Sequence, residues 1–530
     1  MRKSVLILVI LLMTGTMLFS GGGQQATTGA AANTRLTVEV FDRGTDGGRT
    51  RADNNAWTDW IKEKVKKDLN IDVTFQAVGR WSESTDIINL MASGSAPDLC
   101  YTYNGDMISS FRDQGGILDL APYIDRLLPD MKKLLGQDPA LQGQDLIYRR
   151  RDPATGRIYS VPSYVTRISQ RNLFIRKDWL DRLGLPLPRT TQDFYNALVA
   201  FRDRDPGNVG RNNVIPLGQD ADARWGLSPI TNAFLDPTLS DRDLWIYGIA
   251  DRHIMIPGYK DGLRLMNQWF NEGLIYREFP LMRVADDYYN LLKTGVVGAL
   301  GGNWDLPWRP DYKIAEELAR NVPGAEFVPV DCIQAPDGVT RKIIGDRAGL
   351  HIFIPTFSRN QEAALRYLNW LCIFENFNFL QIGTAGVNHE MVNGVPRTLT
   401  TPPGHPWFQN SQNNIDYTMP MNGVELLNPD LTARVLAFGY GNTPYQVIVN
   451  ANNISISNGR APVVYQAVTT KAGIYGNTLR DKADALIAQA VTARPADFDR
   501  IWDAGVRDWL SSGAQEIIDE NSSVWPANRR

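Results

Sequence analysis

The chain has 530 residues, 43% hydrophobic and 21% charged. That length exceeds what one hydrophobic core serves, so two or three packed units are expected, and the composition excludes a wholly disordered chain or a polytopic membrane protein. The net charge of −3, from 55 basic and 58 acidic residues with no basic stripe, makes a nucleic-acid partner unexpected.

The chain opens with Arg2 and Lys3, then an apolar run from Val5 to Leu12 that weakens toward Phe19 and breaks at Ser20-Gly21-Gly22-Gly23. This is a secretory signal pattern, expected over residues 1–25, with a flexible tether over 26–35. The run is shorter than the roughly 20 residues of a spanning helix, and the alternative is a retained N-terminal anchor. Gly21 follows Leu18-Phe19-Ser20 where a lipoprotein would carry cysteine. Export to the periplasm or cell surface without a conventional lipid anchor is therefore expected.

Leu36, Val38 and Val40 alternate with polar neighbours and predict a strand. Trp57, Trp60, Ile61, Val65 and Leu69 share one helical face. Ile71, Val73 and Phe75 alternate again, so the opening predicts a β-α-β unit with a parallel pair. A helix near Glu83–Ala92 and a short buried strand Pro97–Tyr101 follow. Val161 to Ile175 is extended. Thr190 to Asp193 forms a capping box for a helix with the face Phe194, Ala197, Leu198 and Phe201. Leu263, Met266, Trp269 and Phe270 mark another helix, stopped by Gly273. Val296 to Leu300 is a buried strand. Ser358 with Gln361 predicts a second capping box, and Phe498, Ile501, Trp502 and Trp509 form a terminal helical stripe. Alternating strands and helices without a fixed-period repeat give an α/β class.

Cys100, Cys332 and Cys372 have neither CxxC spacing nor a nearby histidine, and are expected as buried small hydrophobes. His253, His351, His389 and His405 lie in no ligand spacing. No metal site and no cofactor are expected. No GxSxG, P-loop or strand-to-helix GxGxxG occurs, and no residue is nominated as catalytic.

Four stretches resemble the extracellular solute-binding proteins of bacterial ABC importers, family 1. They are Met91–Leu99, Asn172–Leu185 with Pro188-Arg189-Thr190, Gly295–Leu300 with Asn303-Trp304, and the late helices Glu362–Leu368 and Trp502–Leu510. The resemblance implies a two-lobe periplasmic-binding-protein fold, with a hinge crossed more than once and a central ligand cleft. By similarity, lobe one covers 36–165 and 350–395, and lobe two covers 166–349 and 396–530. It also implies an oligosaccharide ligand, an inner-membrane permease partner and a monomer. Many oligosaccharide-binding members carry a calcium loop. The corresponding run here, Asp205 to Pro216, keeps only the Asp205 carboxylate, so a turn with weak or no calcium binding is expected.

A sugar ring presents an apolar face and a rim of hydroxyls, so its pocket needs aromatic platforms with fixed polar groups at the edge. Tyr101, Tyr103 and Asn104 follow a strand directly. The resemblance places a stacking aromatic at Trp304, where Gly301 and Gly302 permit a sharp turn, with Asn303 and Asp305 as companions. Trp81 follows a strand, Trp225 sits in a polar loop, and Tyr164 and Arg167 lie near the first hinge crossing. Trp407 is a candidate lid. The expected function is capture of an oligosaccharide for import. The alternative is an exported carbohydrate-active enzyme, a glycosidase or polysaccharide lyase, which needs a carboxylate pair that no motif nominates.

Overall fold

The computed structural model describes residues 34–136, 146–152, 155–249, 252–282, 285–310, 312–440, 443–463 and 469–525. The expected signal segment and all but the end of the expected tether lie outside these residues.

The chain enters as a parallel pair. β1 (Thr34–Asp42) runs beside β2 (Ile71–Gly79) in unbroken register from Thr34 opposite Ile71 to Asp42 opposite Gly79. α1 (Ala56–Leu69) joins them. The Asn55 side chain accepts from the Trp57 and Thr58 amides, and the Thr58 hydroxyl accepts from the Asn55 amide, satisfying the free donors of the first turn. Asn70, in the left-handed region, ends the helix. α2 (Glu83–Ala92) leads to β3 (Cys100–Thr102). The Glu39 amide donates to Leu99 O at 3.0 Å, which ties β1 to the approach to β3.

β4 (Val161–Val165) then reaches the lobe junction, and β5 (Arg171–Arg176) leaves it. β6 (Ile215–Gly218), β7 (Val297–Asn303) and β8 (Phe327–Val330) complete a second sheet in the order β6-β7-β5-β8. Here β5 is antiparallel to both neighbours, and β6 is parallel to β7. β9 (Lys342–Ile343) precedes the return strand β10 (Ala348–Phe353), which pairs with β3 and β4. A third crossing follows when Met421–Asn422 pairs with β4 from its other side.

The hydrophobic cores divide accordingly. One runs from Leu36 to Val161 and resumes from Leu350 to Leu380, with Tyr417 and Met419 added. A second spans Leu173 to Ile333 and the late helices from Leu479 to Ile518. An adjoining cluster joins Phe174, Leu300 and Trp304 to Tyr440 and Ala451. The expected last boundary at 395/396 does not coincide with these cores, because Trp407, Tyr417 and Met419 still pack on the first. All three cysteines are buried free thiols.

The helix Thr191–Arg204 has the expected capping box, with Phe194, Ala197, Leu198 and Phe201 buried. The second expected box is absent. The helix Gln361–Trp370 is preceded by Asn360 without a side-chain cap, because the Ser358 hydroxyl donates to Asp98 Oδ1 at 2.6 Å instead. Among the described residues no helix is long and apolar enough to cross a membrane.

Gly301 in β7 lies against the Gly226 backbone, where a Cβ would sit 1.8 Å from the Gly226 carbonyl oxygen. A backbone atom cannot swing aside as a side chain can. Gly301→Ala is expected to cost about 2 kcal/mol or more, read as a lower unfolding midpoint in thermal or urea denaturation. An unchanged midpoint would show that these two segments are free to separate.

Candidate functional site

Strand direction defines where the two sheets meet. β4 ends at the junction, where Tyr164 pairs with Ala348 at the start of β10. β3 is antiparallel to β10, and β1 runs parallel to the Leu99 approach to β3, so the carboxyl ends of β1 to β4 all point toward the junction. Across it, β5 begins with Arg171, which pairs with Asn303 at the end of β7. β6 is parallel to β7, and β8 is antiparallel to β5, so their carboxyl ends face the same way. Ligands of α/β folds lie beyond such carboxyl ends.

The lobe-one wall is built from the turns after β1, β2 and β3. Trp81 is 80% exposed, and Tyr103 is also exposed. The Arg80 guanidinium lies 4.2 Å from the Tyr103 ring centre and 5.2 Å from that of Trp81. The Glu83 carboxylate fixes this corner, accepting from the Tyr103 amide at 2.9 Å and from Arg80 at 3.0 Å. Arg43 forks onto Asp416, with Nε to Oδ2 at 2.8 Å and Nη2 to Oδ1 at 2.9 Å. Asn104 donates to the Ser84 hydroxyl at 3.3 Å.

The lobe-two wall carries a cavity of about 790 Å³, lined among others by Gln170, Arg171, Trp225, Trp245, Tyr259 and Asp346. The Asp222 side chain caps the short helix Ala223–Gly226 by accepting from the Trp225 amide. The guanidinium carbons of Arg171 and Arg224 each lie 4.0 Å from the Trp225 ring centre. Arg171 also donates to Asn303 Oδ1 and, at 2.9 Å, to Gln170 O. Burial, then the neighbouring Asp222 carboxylate, push the Asp220 carboxyl up to about 6. The Asp222 amide and the Gln219 side-chain amide each donate to Asp220 Oδ1 at 3.0 Å.

Several expected contacts are elsewhere. Trp304 is only 4% exposed and packs edge-on to Tyr440, 5.9 Å between ring centres, inside the apolar cluster with Phe174 and Leu300. Its ring is core and offers no stacking face. Asp305 is equally buried, accepting from Arg309 Nε at 2.8 Å and from the Tyr440 hydroxyl at 2.5 Å. Tyr101 is buried under β1, its hydroxyl accepting from the Phe41 amide at 2.9 Å. Trp407 packs edge-on against Trp57 at 4.9 Å and Phe379 at 5.9 Å, which makes it a lobe-one packing residue and not a lid. Arg167 donates to the Tyr440 hydroxyl at 2.9 Å, and Tyr164 lies beneath the Arg347 guanidinium at 5.5 Å. Trp81, Tyr103 and Asn104 remain on one wall, with Trp225 and Asn303 on the other. Arg80, Arg171 and Arg224 were not singled out from the sequence. Each directly precedes or lies near an aromatic or a strand start, but an arginine in a linear sequence looks like any solvated one.

The run from Asp205 to Pro216 folds as a turn. Asp205 is in the left-handed region, and its carboxylate oxygens accept from the Val209 amide at 3.0 Å and the Gly210 amide at 2.8 Å. Calcium needs six to eight oxygens, several of them anionic. Gly207, Val209 and Val214 provide no side-chain oxygen, and the one carboxylate is already engaged. These residues do not fit a calcium ion.

Two outcomes follow from this chemistry. Millimolar calcium or excess chelator is expected to leave the thermal midpoint unchanged, and a chelator-induced drop would overturn the metal-free turn. For Asp220, the folded carboxyl titrates near 6 and the unfolded one near 3.8. The native state therefore holds its proton more tightly, and this stabilisation is present at low pH and lost as pH rises through about 6. The difference of roughly 2 pKa units corresponds to about 3 kcal/mol. Asp220→Asn is expected to stabilise the protein at pH 7.5 by up to that amount and to be near neutral at pH 4. Equal effects at both values would remove the buried-carboxyl explanation.

Residues 49–239 match the family model for bacterial extracellular solute-binding proteins. The chain is 23% identical over 479 residues to Lipoprotein LipO of Bacillus subtilis (strain 168), covering 87% of each chain. It is 23% identical over 445 residues to the polygalacturonan/rhamnogalacturonan-binding protein YtcQ of the same organism, covering 81% of this chain and 80% of YtcQ. The fold superposes with a TM-score of 0.63 on the S. pneumoniae ABC-transporter substrate-binding protein FusA, an EF-hand mutant in complex with fructo-nystose, at 16% identity and covering 92% of this chain and 98% of FusA. The fold is thus that of the two-lobe periplasmic-binding proteins, and residues 49–239 are similar to the bacterial extracellular solute-binding proteins.

Proposed function

We propose that this protein is the substrate-binding component of an ABC importer, which captures an oligosaccharide between its lobes and hands it unchanged to a membrane permease. The observation that carries the reading is the convergence of strand carboxyl ends from both sheets on one junction, with exposed aromatic rings and fixed guanidiniums on each side. A sugar needs that combination of flat apolar surface and oriented polar groups. YtcQ and FusA, named for oligosaccharide or polysaccharide ligands, support the reading. The protein acts by binding and release, with no bond made or broken in the ligand. Like its extracellular relatives, it works after export.

We assign residues 34–165 and 348–420 to one lobe and 171–343 and 437–525 to the other, following the cores, with Val424, Leu426 and Val435 packed on Val395 between them. Ligand contacts that exist only when both walls meet shift the population toward a closed form. Small-angle scattering and tryptophan fluorescence across an oligosaccharide panel test this, and absence of both binding and compaction overturns it. Labelled oligosaccharide is expected to be recovered intact from a stoichiometric complex, and turnover would overturn the carrier role.

Trp81 is the most exposed large aromatic on the walls, so its loss removes little packing. Trp81→Ala is expected to leave the unfolding free energy within about 0.5 kcal/mol of the parent protein and to weaken oligosaccharide binding by roughly tenfold in calorimetry. Unchanged affinity would remove Trp81 from the binding surface.

A further inference from the structure

The cations around the lobe-two cavity differ in one respect. Lys342 pairs with Asp331 at 2.8 Å, Arg460 with Asp241 at 3.0 Å, and Arg341 with Asp337. Arg224 shares Asp222 at 3.8 Å and Asp484 at 4.0 Å. Arg171 has no carboxylate within ion-pair distance among the described residues. Its hydrogen bonds go to a carbonyl and to the Asn303 amide oxygen, and its remaining contact is the Trp225 ring. The acids nearest in effect are already used. Asp305 serves Arg309 and Tyr440, and Asp222 serves Arg224 and the Trp225 amide. Burial, then the neighbouring Arg309 and Arg224 guanidiniums, push the Arg171 guanidinium down to about 10.

A largely buried charge without a counter-ion is costly. Its place in the cavity lining makes that charge available to a ligand. A guanidinium fork binds a planar or tetrahedral oxyanion through two parallel hydrogen bonds. The Trp225 ring restrains both guanidiniums and limits the entropy lost on binding. A cavity of about 790 Å³ accommodates a few sugar rings.

We propose that the sugar residue held at this end of the cleft is anionic, and that Arg171 receives its acidic group. The group is a uronate carboxylate or a sulfate ester, which share the oxyanion chemistry. This rests on the oligosaccharide reading above.

Calorimetry on the full mature chain provides the test. The probes are oligogalacturonates, oligomannuronates and oligoguluronates, each with its carboxyl-reduced counterpart, together with sulfated oligogalactans and their desulfated forms. At least one acidic probe is expected to bind about 30-fold more tightly than its neutral counterpart. Preference within the uronate or the sulfated arm identifies the acidic group. Arg171→Gln is expected to remove most of that preference while leaving the neutral counterpart within about threefold. Arg171→Lys, which keeps a charge but loses the fork, is expected to recover part of it. Raising salt is expected to weaken the acidic probe alone. Thermal unfolding of each variant checks that the fold is intact, and the probe preference and salt response of the parent protein stand if a variant fails to fold. Equal binding of acidic and neutral counterparts, or an equal loss of both in Arg171→Gln, overturns the anionic assignment while the oligosaccharide reading stands. If no probe and no neutral oligosaccharide binds, the reading itself falls.

Discussion

The arrangement of both lobes depends on how one short strand is held. β4 lies between β10 and Met421–Asn422, so three passages of the chain share one hydrogen-bonded ribbon. The β4–β10 register shifts between Ala348 and His351, which leaves carbonyls of β10 without strand partners. Arg150, buried, donates to those of Ala348, Gly349 and Leu350, the last at 2.7 Å. Arg347 donates to the Val165 and Thr166 carbonyls at 2.9 and 2.6 Å. A Cβ on Gly349 would lie 2.5 Å from the Ser163 hydroxyl and 2.6 Å from Val165 Cγ2, so the β4 side chains fill the space a larger residue would need. Backbone groups at a junction must be satisfied whatever the lobes do. Guanidiniums on flexible stems can satisfy them while the extended segments beyond Val165 and before Ala348 bend.

Local patterns in the sequence locate most elements because local physics forms them. The alternation at Leu36, Val38 and Val40 buries one face of β1, and the Thr190–Asp193 box closes its own helix start. Ser358 misleads for a reason of the same kind. Its hydroxyl has a better acceptor in Asp98, far away in sequence, than in the helix it precedes. The site is legible only where exposure follows from a strand end alone, as at Trp81 and Tyr103. Trp304 follows two glycines after a buried strand and looks like an exposed ring. Tyr440 arrives from a distant segment to cover it. Trp407, next to a proline in a polar stretch, is claimed by Trp57 and Phe379. Tertiary partners from far along the chain leave no periodic trace.

The two walls differ electrostatically. On lobe one the charges are matched, with Arg43 on Asp416 and Arg80 on Glu83. On lobe two the balance is incomplete. Asp220 keeps its proton to higher pH, and Arg171 has neighbours of its own sign in Arg224 and Arg309. A matched wall contributes shape and aromatic surface. An unmatched one leaves a charge open to a ligand of opposite sign.

This asymmetry bears on how closure is coupled to cargo. Bringing the lobes together removes water from the junction, and the field of an unpaired guanidinium grows as the local dielectric falls. Closing on nothing therefore raises the free energy of Arg171, whereas closing on a ligand that supplies an oxyanion lowers it. A ligand shifts a two-state equilibrium only by its differential affinity for the two states. A charge that is tolerable when open, unfavourable when closed and empty, and favourable when closed and filled enlarges that difference from both sides. The unpaired guanidinium of lobe two thus opposes empty closure by the same electrostatics that would reward an anionic cargo.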